Sequence, residues 1–407
     1  MSLVGDRSKI EWTEATWNPT IGCTRVSEGC RNCYAERLAA TRLKDAPRYQ
    51  GLARMTPSGP RWAGEVRYVP EALDQPLRWH RPRMIFVNSM SDLFHERVPD
   101  EWLDEIHAVM LACHLFENRA GHIFQILTKR TKRMRDYYLS RTPAEHLKAW
   151  AVAGNGWIQT DDPDVLFSEA VEWQCSAKWD PETSVALSSP EPWSHPENLF
   201  PLPNVWLGTS VENQEAADKR IPILLDTPAT IRFLSCEPLL GPIDLTSVRN
   251  PGGDAWPRFN VLQRWTNGET TTGIDWVIAG AESGPNARPC HPDWARSLRD
   301  QAAVAGIPFF WKSWGDWKPF SEMSEEESLR LYVSNRKAKE WEDQAILDDI
   351  WGKRCVVPTR MLQFDGNEGA YVIDGHVAYL MYKVGKKAAG ATLDGREWRQ
   401  MPEVAGR

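Results

Sequence analysis

Three cysteines, Cys23, Cys30 and Cys33, fall within eleven residues in the spacing C-x6-C-x2-C. Three thiolates on one short loop can hold three corners of a metal centre and leave a fourth position open, as a chemically active centre requires. Iron–sulfur clusters are normally held by four cysteines, so a set of three indicates that a small molecule completes the coordination. The spacing therefore predicts an iron–sulfur cluster. Two other interpretations stay open: a zinc site whose fourth ligand lies far along the chain, and three cysteines that hold no metal.

The composition limits the class of protein. The chain has 407 residues, 42% of them hydrophobic, which is enough for one large domain with insertions or for two domains. We expect no secretory signal, because no basic stretch followed by an apolar run stands at the start. No segment approaches the roughly 20 apolar residues that span a bilayer. The eight cysteines show no regular framework, so we expect a reducing, cytoplasmic setting and no membrane association.

The charge pattern bears on possible partners. A net charge of −7 argues against a protein that coats nucleic acid non-specifically. Residues 128–135 are an exception, with five cations in eight residues, among them Lys129, Arg130, Lys132 and Arg133. This stretch is interpreted either as the solvated start of a helix or as a patch that faces a substrate phosphate at the mouth of a site.

Short apolar runs alternate with amphipathic, helix-like stretches. Near-continuous apolar strands separated by helices predict a parallel sheet covered on both faces. The helix-like stretches are Tyr34–Leu43, Asp100–Glu117, Asn213–Leu225 and Pro292–Ala305. The predicted strands are Met84–Asn88, Ile123–Leu127, Val205–Gly208, Ile231–Leu234, Trp276–Ala279 and Pro308–Trp311.

Polar side chains cluster just past the carboxyl end of each predicted strand. In α/β barrels and open α/β sheets, ligands sit at this edge. Six such clusters in register predict an α/β fold, a full or partial βα barrel, with its site on that rim. The residues are Asn88, Ser89, Ser91, Asp92, Thr128, Lys129, Arg130, Thr209, Ser210, Glu212, Ser235, Glu237, Glu282, Ser283 and Lys312.

Two segments interrupt the alternation of strands and helices, and a third follows it. Residues 140–203 are rich in tryptophan and residues 246–273 are rich in Gly, Asn and Thr. Both are interpreted as insertions into a barrel that spans residues 1–315. Residues 316–407 are interpreted as a small α+β extension, with a charged helical stretch at Ser321–Ile350 and strands at Met361–Phe364 and Tyr371–Ile373.

The cysteine loop and the strand ends together resemble the phage-derived three-Cys-motif family of bacteriophages and bacterial mobile elements. The resemblance covers positions 12–395 apart from the insertions. The motifs that carry it are Trp17–Pro19 (WNP), Gly22–Cys23, Gly29–Glu36 (GCRNCYAE), Leu207–Asn213 (LGTSVEN), Leu234–Pro242 (LSCEPLLGP), Ala281–Pro285 (AESGP), Ala287–Pro289 (ARP), Pro308–Lys312 (PFFWK) and Leu393–Arg396 (LDGR).

That family is similar to the radical S-adenosylmethionine enzymes, with spore photoproduct lyases as distant relatives. The resemblance implies a barrel of radical-SAM type, a 4Fe-4S cluster on Cys23, Cys30 and Cys33, and S-adenosylmethionine on the open iron. The usual spacing in that superfamily is C-x3-C-x2-C, whereas this chain has six residues between its first two cysteines. The resemblance also implies a dedicated three-Cys-motif partner protein. Cys236 and Cys290 are interpreted as packing residues.

The resemblance assigns roles to the residues on the rim. Asn88, Ser89, Ser91 and Asp92 stand where the superfamily binds the cofactor's amino group. Ser210 and Glu212 are candidates for its ribose hydroxyls, and Tyr34 or Trp17 for stacking on its adenine or for packing the cluster loop. Glu237 and Glu282 are candidate catalytic carboxylates, with Lys312 or Arg288 as partners. They are equally well interpreted as structural ion pairs.

Three functions are compatible with these residues. The first is a radical-SAM-type enzyme that modifies or repairs a nucleic acid or nucleotide, with Lys129, Arg130, Lys132 and Arg133 as phosphate ligands. The second is a non-enzymatic iron–sulfur or zinc protein that acts with a partner. The third is a metal-dependent hydrolase or nuclease that uses carboxylates on the rim. The third leaves the cysteines without a role.

Overall fold

A seven-stranded parallel sheet forms the centre of the protein, as seen in a computed structural model that describes residues 8, 10–116, 121–178, 186, 191–250, 252, 257–267, 270–369 and 375–403. The strands lie side by side in chain order, and every neighbouring pair is parallel. They are β1 (Ala15–Trp17), β2 (Met84–Val87), β3 (Ile123–Thr128), β4 (Val205–Ser210), β5 (Ile231–Cys236), β6 (Trp276–Ala279) and β7 (Phe309–Trp311).

The sheet is open and is compatible with a partial βα barrel. Within the described part of the chain, β1 and β7 lie at opposite edges and do not pair with each other. The outer edge of β7, which pairs with no other strand of this sheet, is covered by a C-terminal segment. The amide of Trp311 donates to the carbonyl of Trp398 at 2.9 Å, and that of Gln400 to the carbonyl of Phe309 at 3.2 Å. Covering an edge strand removes unpaired backbone groups that would otherwise pair with another chain.

The strands form where the sequence predicts them because their apolar runs are buried on both faces. All four residues of β2 and all four of β6 are buried, as expected for a parallel sheet with helices on each side. Trp276–Ala279 was predicted with its observed bounds, and the other five predictions shift by one or two residues at one end. β1 was missed, since three residues are too few to show a period; its pairing with β2, beginning with Ala15 beside Ile85, makes it a strand.

Among the described residues, seven helices of seven residues or more lie between the strands of this sheet. Three begin with side-chain caps: Thr142 and Glu145 form a reciprocal capping box, Asn213 accepts from the amide of Ala216, and His291 accepts from the amide of Asp293. The helices are α1 (Tyr34–Ala40), α2 (Asp100–Leu115), α3 (Thr131–Tyr138), α4 (Pro143–Gly154), α5 (Phe167–Gln174), α6 (Gln214–Leu225) and α7 (Pro292–Val304). No helix in the described ranges combines the length and the apolar character needed to cross a bilayer.

The tryptophan-rich segment forms α4 and α5, and α4 packs on α2 through buried aromatic side chains. Trp150 is fully buried and stacks on His107 with ring centroids 4.7 Å apart. Its Nε1 donates to the hydroxyl of Tyr137 at 2.8 Å, and that hydroxyl donates to Asp104 at 2.7 Å. Burial without a partner would be costly for these polar groups, and the chain of hydrogen bonds removes that cost.

The C-terminal residues form a mixed α+β structure. Trp317–Pro319, Tyr379–Lys383 and Thr359–Leu362 make an antiparallel sheet. The single helical stretch predicted at Ser321–Ile350 is wrong, because two short helices, Glu325–Leu329 and Gln344–Trp351, flank the strand Tyr332–Ser334. The charged sequence there lacks an apolar period long enough for one helix, and β-favouring Tyr332 and Val333 pair with Lys353–Cys355 instead.

The strand predicted at Met361–Phe364 begins and ends two residues earlier, at Thr359–Leu362, whereas Tyr371–Ile373 lies outside the described residues. The domain boundary near residue 315 stays a prediction. The remaining elements are the paired strands Thr20–Ile21 with Arg67–Tyr68, Ala53–Thr56 with Gly59–Trp62, Trp265–Asn267 with Thr270–Thr272 and Thr392–Leu393 with Arg396–Glu397, and the short helices Pro70–Leu73 and Lys386–Ala389.

The packing of α4 predicts a large effect for Trp150→Ala. The change empties a fully buried site and leaves the Tyr137 hydroxyl without its donor, so the free energy of unfolding should fall by about 3–5 kcal/mol. Trp341→Ala is the matched control, since Trp341 is 79% exposed and its loss should change stability by less than about 0.5 kcal/mol. Urea unfolding followed by tryptophan fluorescence measures both. Equal destabilisation by the two changes would contradict this packing.

Candidate functional site

A cavity of about 290 Å³ lies at the carboxyl edge of the sheet, and Cys23, Cys30 and Cys33 all line it. Most of the predicted site residues line it as well, whereas Glu212, Lys132 and Arg133 do not. A larger cleft of about 1190 Å³ lies beside α7, and no cysteine lines it. The predicted residues at the first cavity are Cys23, Cys30, Cys33, Tyr34, Asn88, Ser89, Ser91, Asp92, Lys129, Arg130, Ser210, Glu237, Glu282 and Lys312.

The cysteine loop, residues 22–33, begins at a backbone position that requires glycine. Gly22 has φ +95°, and a Cβ there would lie 2.2 Å from the carbonyl oxygen of Glu65. Its amide donates to the carbonyl of Met90 at 3.1 Å, and the Ser91 hydroxyl donates to its carbonyl at 2.7 Å. These bonds join the start of the loop to the end of β2. Cys33 stands directly before the first residue of α1.

Glu212, just past β4, is buried behind the cysteine loop. Its carboxylate accepts from the Ser27 hydroxyl at 2.8 Å and from Arg220 at 2.8 Å, and it pairs with Lys129. The loop approaches so closely that a Cβ at Gly29 would lie 2.3 Å from a Glu212 carboxylate oxygen. Burial alone would raise the pKa of Glu212, but Lys129 and Arg220, together with the Ser27 hydroxyl, lower it to about 2.

A second buried pair joins the loop to the ends of β2 and β3. Asp92 accepts from Arg130 Nη1 at 3.0 Å and from the Thr128 hydroxyl at 2.6 Å. Arg130 then reaches the loop, donating to the carbonyl of Thr24 at 3.1 Å and lying 3.7 Å from the sulfur of Cys23. Asp92 therefore orients the guanidinium that contacts the first cysteine.

A third pair lies beyond the end of β6. Glu282 accepts from the Arg288 side chain at 2.7 and 2.9 Å and from the Asn32 amide at 2.8 Å. Arg288 also donates to the carbonyl of Glu28 at 3.1 Å. Asn32 stands between Cys30 and Cys33, so this pair fixes the second half of the loop. These contacts of Glu282 are all explained if it forms a structural ion pair with Arg288, the second of the two interpretations of this residue.

Glu237 and Lys312 form an ion pair inside the cavity. Lys312 Nζ lies 3.0 Å from the Glu237 carboxylate, whose other oxygen accepts from Trp12 Nε1 at 3.3 Å. Burial alone would lower the pKa of Lys312, but Glu237 and Glu11 raise it. Lys312 is therefore protonated at neutral pH. The structure pairs Glu237 with Lys312 and Glu282 with Arg288, which were the two partners considered.

Several residues assigned to the cofactor's amino group use their side chains within the protein. The Asn88 amide donates to the Thr20 hydroxyl at 2.8 Å, and the Ser89 hydroxyl donates to Asn18 at 3.1 Å. The Tyr34 hydroxyl donates to the carbonyl of Ser89 at 2.6 Å, while its ring is 44% exposed and lines the cavity. A ring so placed is free to stack on a ligand.

The stacking role considered for Trp17 is wrong. Trp17 lies in β1 with its side chain fully buried in the core, and its Nε1 donates to the carbonyl of Ala72 at 2.7 Å. A residue in a parallel strand covered on both faces does not reach a ligand at the edge of the sheet. Tyr34 is therefore the remaining stacking candidate of the two.

The hydroxyls of Ser210, Ser235 and Ser283 line the cavity and have no hydrogen-bond partner within the described part of the chain. Ser210 was predicted to bind the cofactor, whereas Ser235 and Ser283 had been noted only for their position after a strand. Sequence reasoning gave no site role to Trp12, Arg25, Asn32 and Trp62, which also line the cavity. The positions of Arg25 and Asn32 between cysteines of the motif were the signal that could have found these two.

Burial favours the protonated form of two of the thiols, Cys23 and Cys33, when no metal is bound. Burial, with a smaller contribution from Asp92, raises the pKa of Cys23 to about 12, and Arg130 opposes this. Burial also raises the pKa of Cys33, against the lowering effect of the amides of Glu36 and Ala35. Because metals bind the thiolate, loading this site would release protons. Cys236 and Cys290 are fully buried outside this cavity, as expected of packing residues.

The basic stretch at 128–135 does not present free cations to the cavity. Each of its four candidate phosphate ligands has a carboxylate partner within 4 Å. Lys132 and Arg133 also lie on α3, away from the cavity lining. Of the two interpretations of this stretch, the pairing supports the structural one. The pairs are Lys129–Glu212, Arg130–Asp92, Lys132–Asp136 and Arg133–Asp100.

The fold and site define an α/β protein whose parallel sheet carries a cysteine-lined cavity at its carboxyl edge. Residues 7–402 match the family described as "Protein of unknown function (DUF5131)". Because the match covers almost the whole chain, the chain belongs to this family. The comparisons with curated proteins and with solved structures gave no match. The similarity to phage three-Cys-motif proteins and to radical S-adenosylmethionine enzymes stays a prediction.

The buried position of Glu212 predicts a large loss of stability for Glu212→Gln. The amide cannot neutralise Lys129 and Arg220, so at pH 7 the free energy of unfolding should fall by about 3–5 kcal/mol. The pKa of Glu212 in the folded state, about 2, lies below the ordinary glutamate value of 4.5. The stabilisation is therefore present above about pH 5 and lost as the pH falls towards 2.

The difference between the Glu212→Gln variant and the parent chain should accordingly shrink over that pH range in urea unfolding curves. Glu215→Gln is the matched control, since Glu215 lies on α6 in an exposed pair with Lys219, and its replacement should leave the unfolding curve unchanged. Equal stabilities of the Glu212 variant and the parent chain at pH 7 would contradict the role given to this carboxylate.

Proposed function

We propose that the chain is an iron–sulfur enzyme of the radical S-adenosylmethionine type that acts on a nucleic acid or nucleotide. The observation that carries the proposal is the meeting of Cys23, Cys30 and Cys33 in one cavity at the carboxyl edge of a parallel sheet. Ligands bind at this edge in α/β folds. Three cysteines supply three of the four positions that an iron–sulfur cluster normally takes from its protein.

The number and type of the ligands fit an iron–sulfur cluster. Three cysteines of one loop line one cavity, and in a cluster each cysteine holds a different iron, so the three sulfurs need not meet at one point. A zinc ion would need a fourth ligand, with all four at about 2.0–2.3 Å from the metal. No group of three or more His, Cys, Asp or Glu side chains already gathered as a metal site is found within the described ranges.

The cavity next to the thiols has the features of a small-molecule site. Its volume of about 290 Å³ is close to the lower end of the range for ligand pockets. Ser210, Ser235 and Ser283 contribute unpaired hydroxyls, and Tyr34 contributes an exposed ring face. These residues would bind the ribose and base of S-adenosylmethionine, while the three cysteines would hold the cluster. When bound, the two groups would supply one-electron cleavage of a carbon–sulfur bond and abstraction of hydrogen from a substrate.

The chain's own residues orient the ligand and exclude water. Ile10, Trp12, Phe86 and Leu127 form an apolar part of the cavity wall. Lys312 is held protonated by its carboxylate neighbours and can donate to a bound carboxylate or phosphate. Arg130 places a positive charge 3.7 Å from Cys23, which favours the thiolate that a metal binds.

The alternative functions have less support. A metal-dependent hydrolase would need several carboxylates free to bind a divalent cation. Asp92, Glu212, Glu237 and Glu282 each have a cationic partner instead. A non-enzymatic role with a three-Cys-motif partner protein stays a prediction, and no observation at the site favours it.

The proposal predicts that protein purified and reconstituted without oxygen holds about four irons and four sulfides. Cys23→Ala, Cys30→Ala and Cys33→Ala should each abolish the visible absorption band of the cluster, because each removes one iron ligand. Cys355→Ala is the matched control, since Cys355 is also a partly exposed free thiol but lies on a strand of the C-terminal region. Iron, zinc and sulfide analysis measures the outcome. Stoichiometric zinc without sulfide would refute the cluster.

A further inference from the structure

We propose that residues 37–67, here named the basic lobe, bind the phosphate backbone of a single nucleic-acid strand and so present it to the cysteine-lined cavity. This inference rests on the proposed function and specifies that its substrate is a single-stranded nucleic acid. The lobe comprises most of α1, the turn after it, and the hairpin Ala53–Thr56 with Gly59–Trp62. It is distinct from the basic stretch at 128–135.

The basic lobe carries a strong local excess of positive charge. It contains seven cations and two carboxylates, Asp45 and Glu65, in a chain of net charge −7. None of the seven has a carboxylate within 4 Å among the described residues, and Glu65 pairs with Arg97 outside the lobe. This charge is therefore available to an external anion. The cations are Arg37, Arg42, Lys44, Arg48, Arg54, Arg61 and Arg67.

One pair of these cations lies close together, with no carboxylate within 4 Å among the described residues. Arg54 and Arg61 are direct cross-strand partners in the hairpin, and like charges at such positions destabilise a strand pair. A protein retains such repulsion at a cost to its own stability, and a bound polyanion would relieve it.

The lobe adjoins the cavity. Trp62, which pairs with Ala53 at the end of the hairpin, lines the cavity. Arg61, which directly precedes Trp62, donates to the carbonyl of Pro60 at 2.8 Å. Arg25, which lines the cavity, donates to the same oxygen at 3.1 Å. The two guanidinium groups therefore lie side by side at the mouth.

A second cation of the lobe lies at the rim. A Cβ placed on Gly284 would lie 3.1 Å from a nitrogen of Arg37, and the neighbouring Ser283 lines the cavity. Arg37 and Arg61 thus place positive charge beside the opening from α1 and from the hairpin respectively. A nucleic-acid strand whose phosphates contact Arg37 and Arg61 would have its bases next to the opening of the cavity.

The features around the charges fit a single strand better than a membrane or a duplex. Met55 is the only large apolar side chain of the lobe that is more than 36% exposed, so the lobe lacks the apolar anchors of a membrane-binding surface. The aromatic ring of Trp62, which lines the cavity, provides a surface on which an unpaired base can stack. A cavity of about 290 Å³ is too small to admit a duplex, so a base has to be unpaired to approach it.

The test measures binding of a labelled single-stranded DNA of mixed sequence against salt concentration. Each phosphate contact contributes about 0.7 to the slope of log K against log salt, so Arg54→Gln with Arg61→Gln should lower the slope by about 1.4. Affinity at low salt should fall at least about tenfold. The thermal stability of this double variant should be unchanged or higher, because the cross-strand repulsion is removed.

The matched control is Lys132→Gln with Arg133→Gln, which removes the same charge from cations that already have carboxylate partners. An equal loss of affinity in this control would overturn the assignment, since only net charge would then matter. Tighter binding of the duplex form, or binding of phosphatidylserine vesicles in place of DNA, would overturn it as well. Absence of salt-dependent DNA binding would do the same.

The experiment separates this inference from the proposed function. DNA binding does not require the cluster, so Cys23→Ala protein should keep the salt slope of the parent chain. Loss of DNA binding with an intact cluster would refute the basic lobe alone. If the parent chain, after reconstitution with iron and sulfide, held no iron but still bound DNA with this salt dependence, the lobe would stand and the proposed chemistry would be refuted.

Discussion

The position of the cysteine loop depends on buried carboxylates that are neutralised by buried cations at the carboxyl edge of the sheet. Asp92, Glu212 and Glu282 follow β2, β4 and β6, and each belongs to an ion pair that also contacts the loop. An unpaired charge at these positions would cost several kcal/mol, so neither partner can change alone. The same pairs fix Thr24, Ser27 and Asn32, and these contacts place all three thiols at one cavity.

This constraint gives the cations near the site two different roles. Lys129, Arg130 and Arg288 hold carboxylates within the protein, so their charge is not available to a substrate. Within the described ranges the cations of the basic lobe have no carboxylate partner, and the lobe adjoins the same opening. The positive charge that can meet a polyanion therefore lies on the side of the cavity formed by α1 and the hairpin. An otherwise acidic chain can in this way bind an anion at one place without binding nucleic acid over its whole surface.

The sequence predicted the sheet well because a buried parallel strand leaves a local signature, as Trp276–Ala279 shows with its observed bounds. It also located the polar residues at the strand ends. It could not assign their partners, since pairing depends on distances between segments far apart in the chain: Glu212 and Lys129 are 83 residues apart. The stretch at 128–135 was considered as a phosphate-binding patch because its cations are close together in the sequence. The basic lobe was missed because seven cations are spread over residues 37–67. The stacking role was wrongly considered for Trp17 because β1, with three residues, is too short to be recognised as a strand from the sequence.

The central claim is that the three cysteines hold a cluster with one iron open to a small molecule. The most direct test is Mössbauer spectroscopy of the protein reconstituted with ⁵⁷Fe, before and after addition of S-adenosylmethionine. The account predicts that the spectrum of one iron changes while the cysteine-bound irons keep theirs, because only the iron without a protein ligand can bind the cofactor. A cluster whose irons all stay unchanged at saturating S-adenosylmethionine would contradict it.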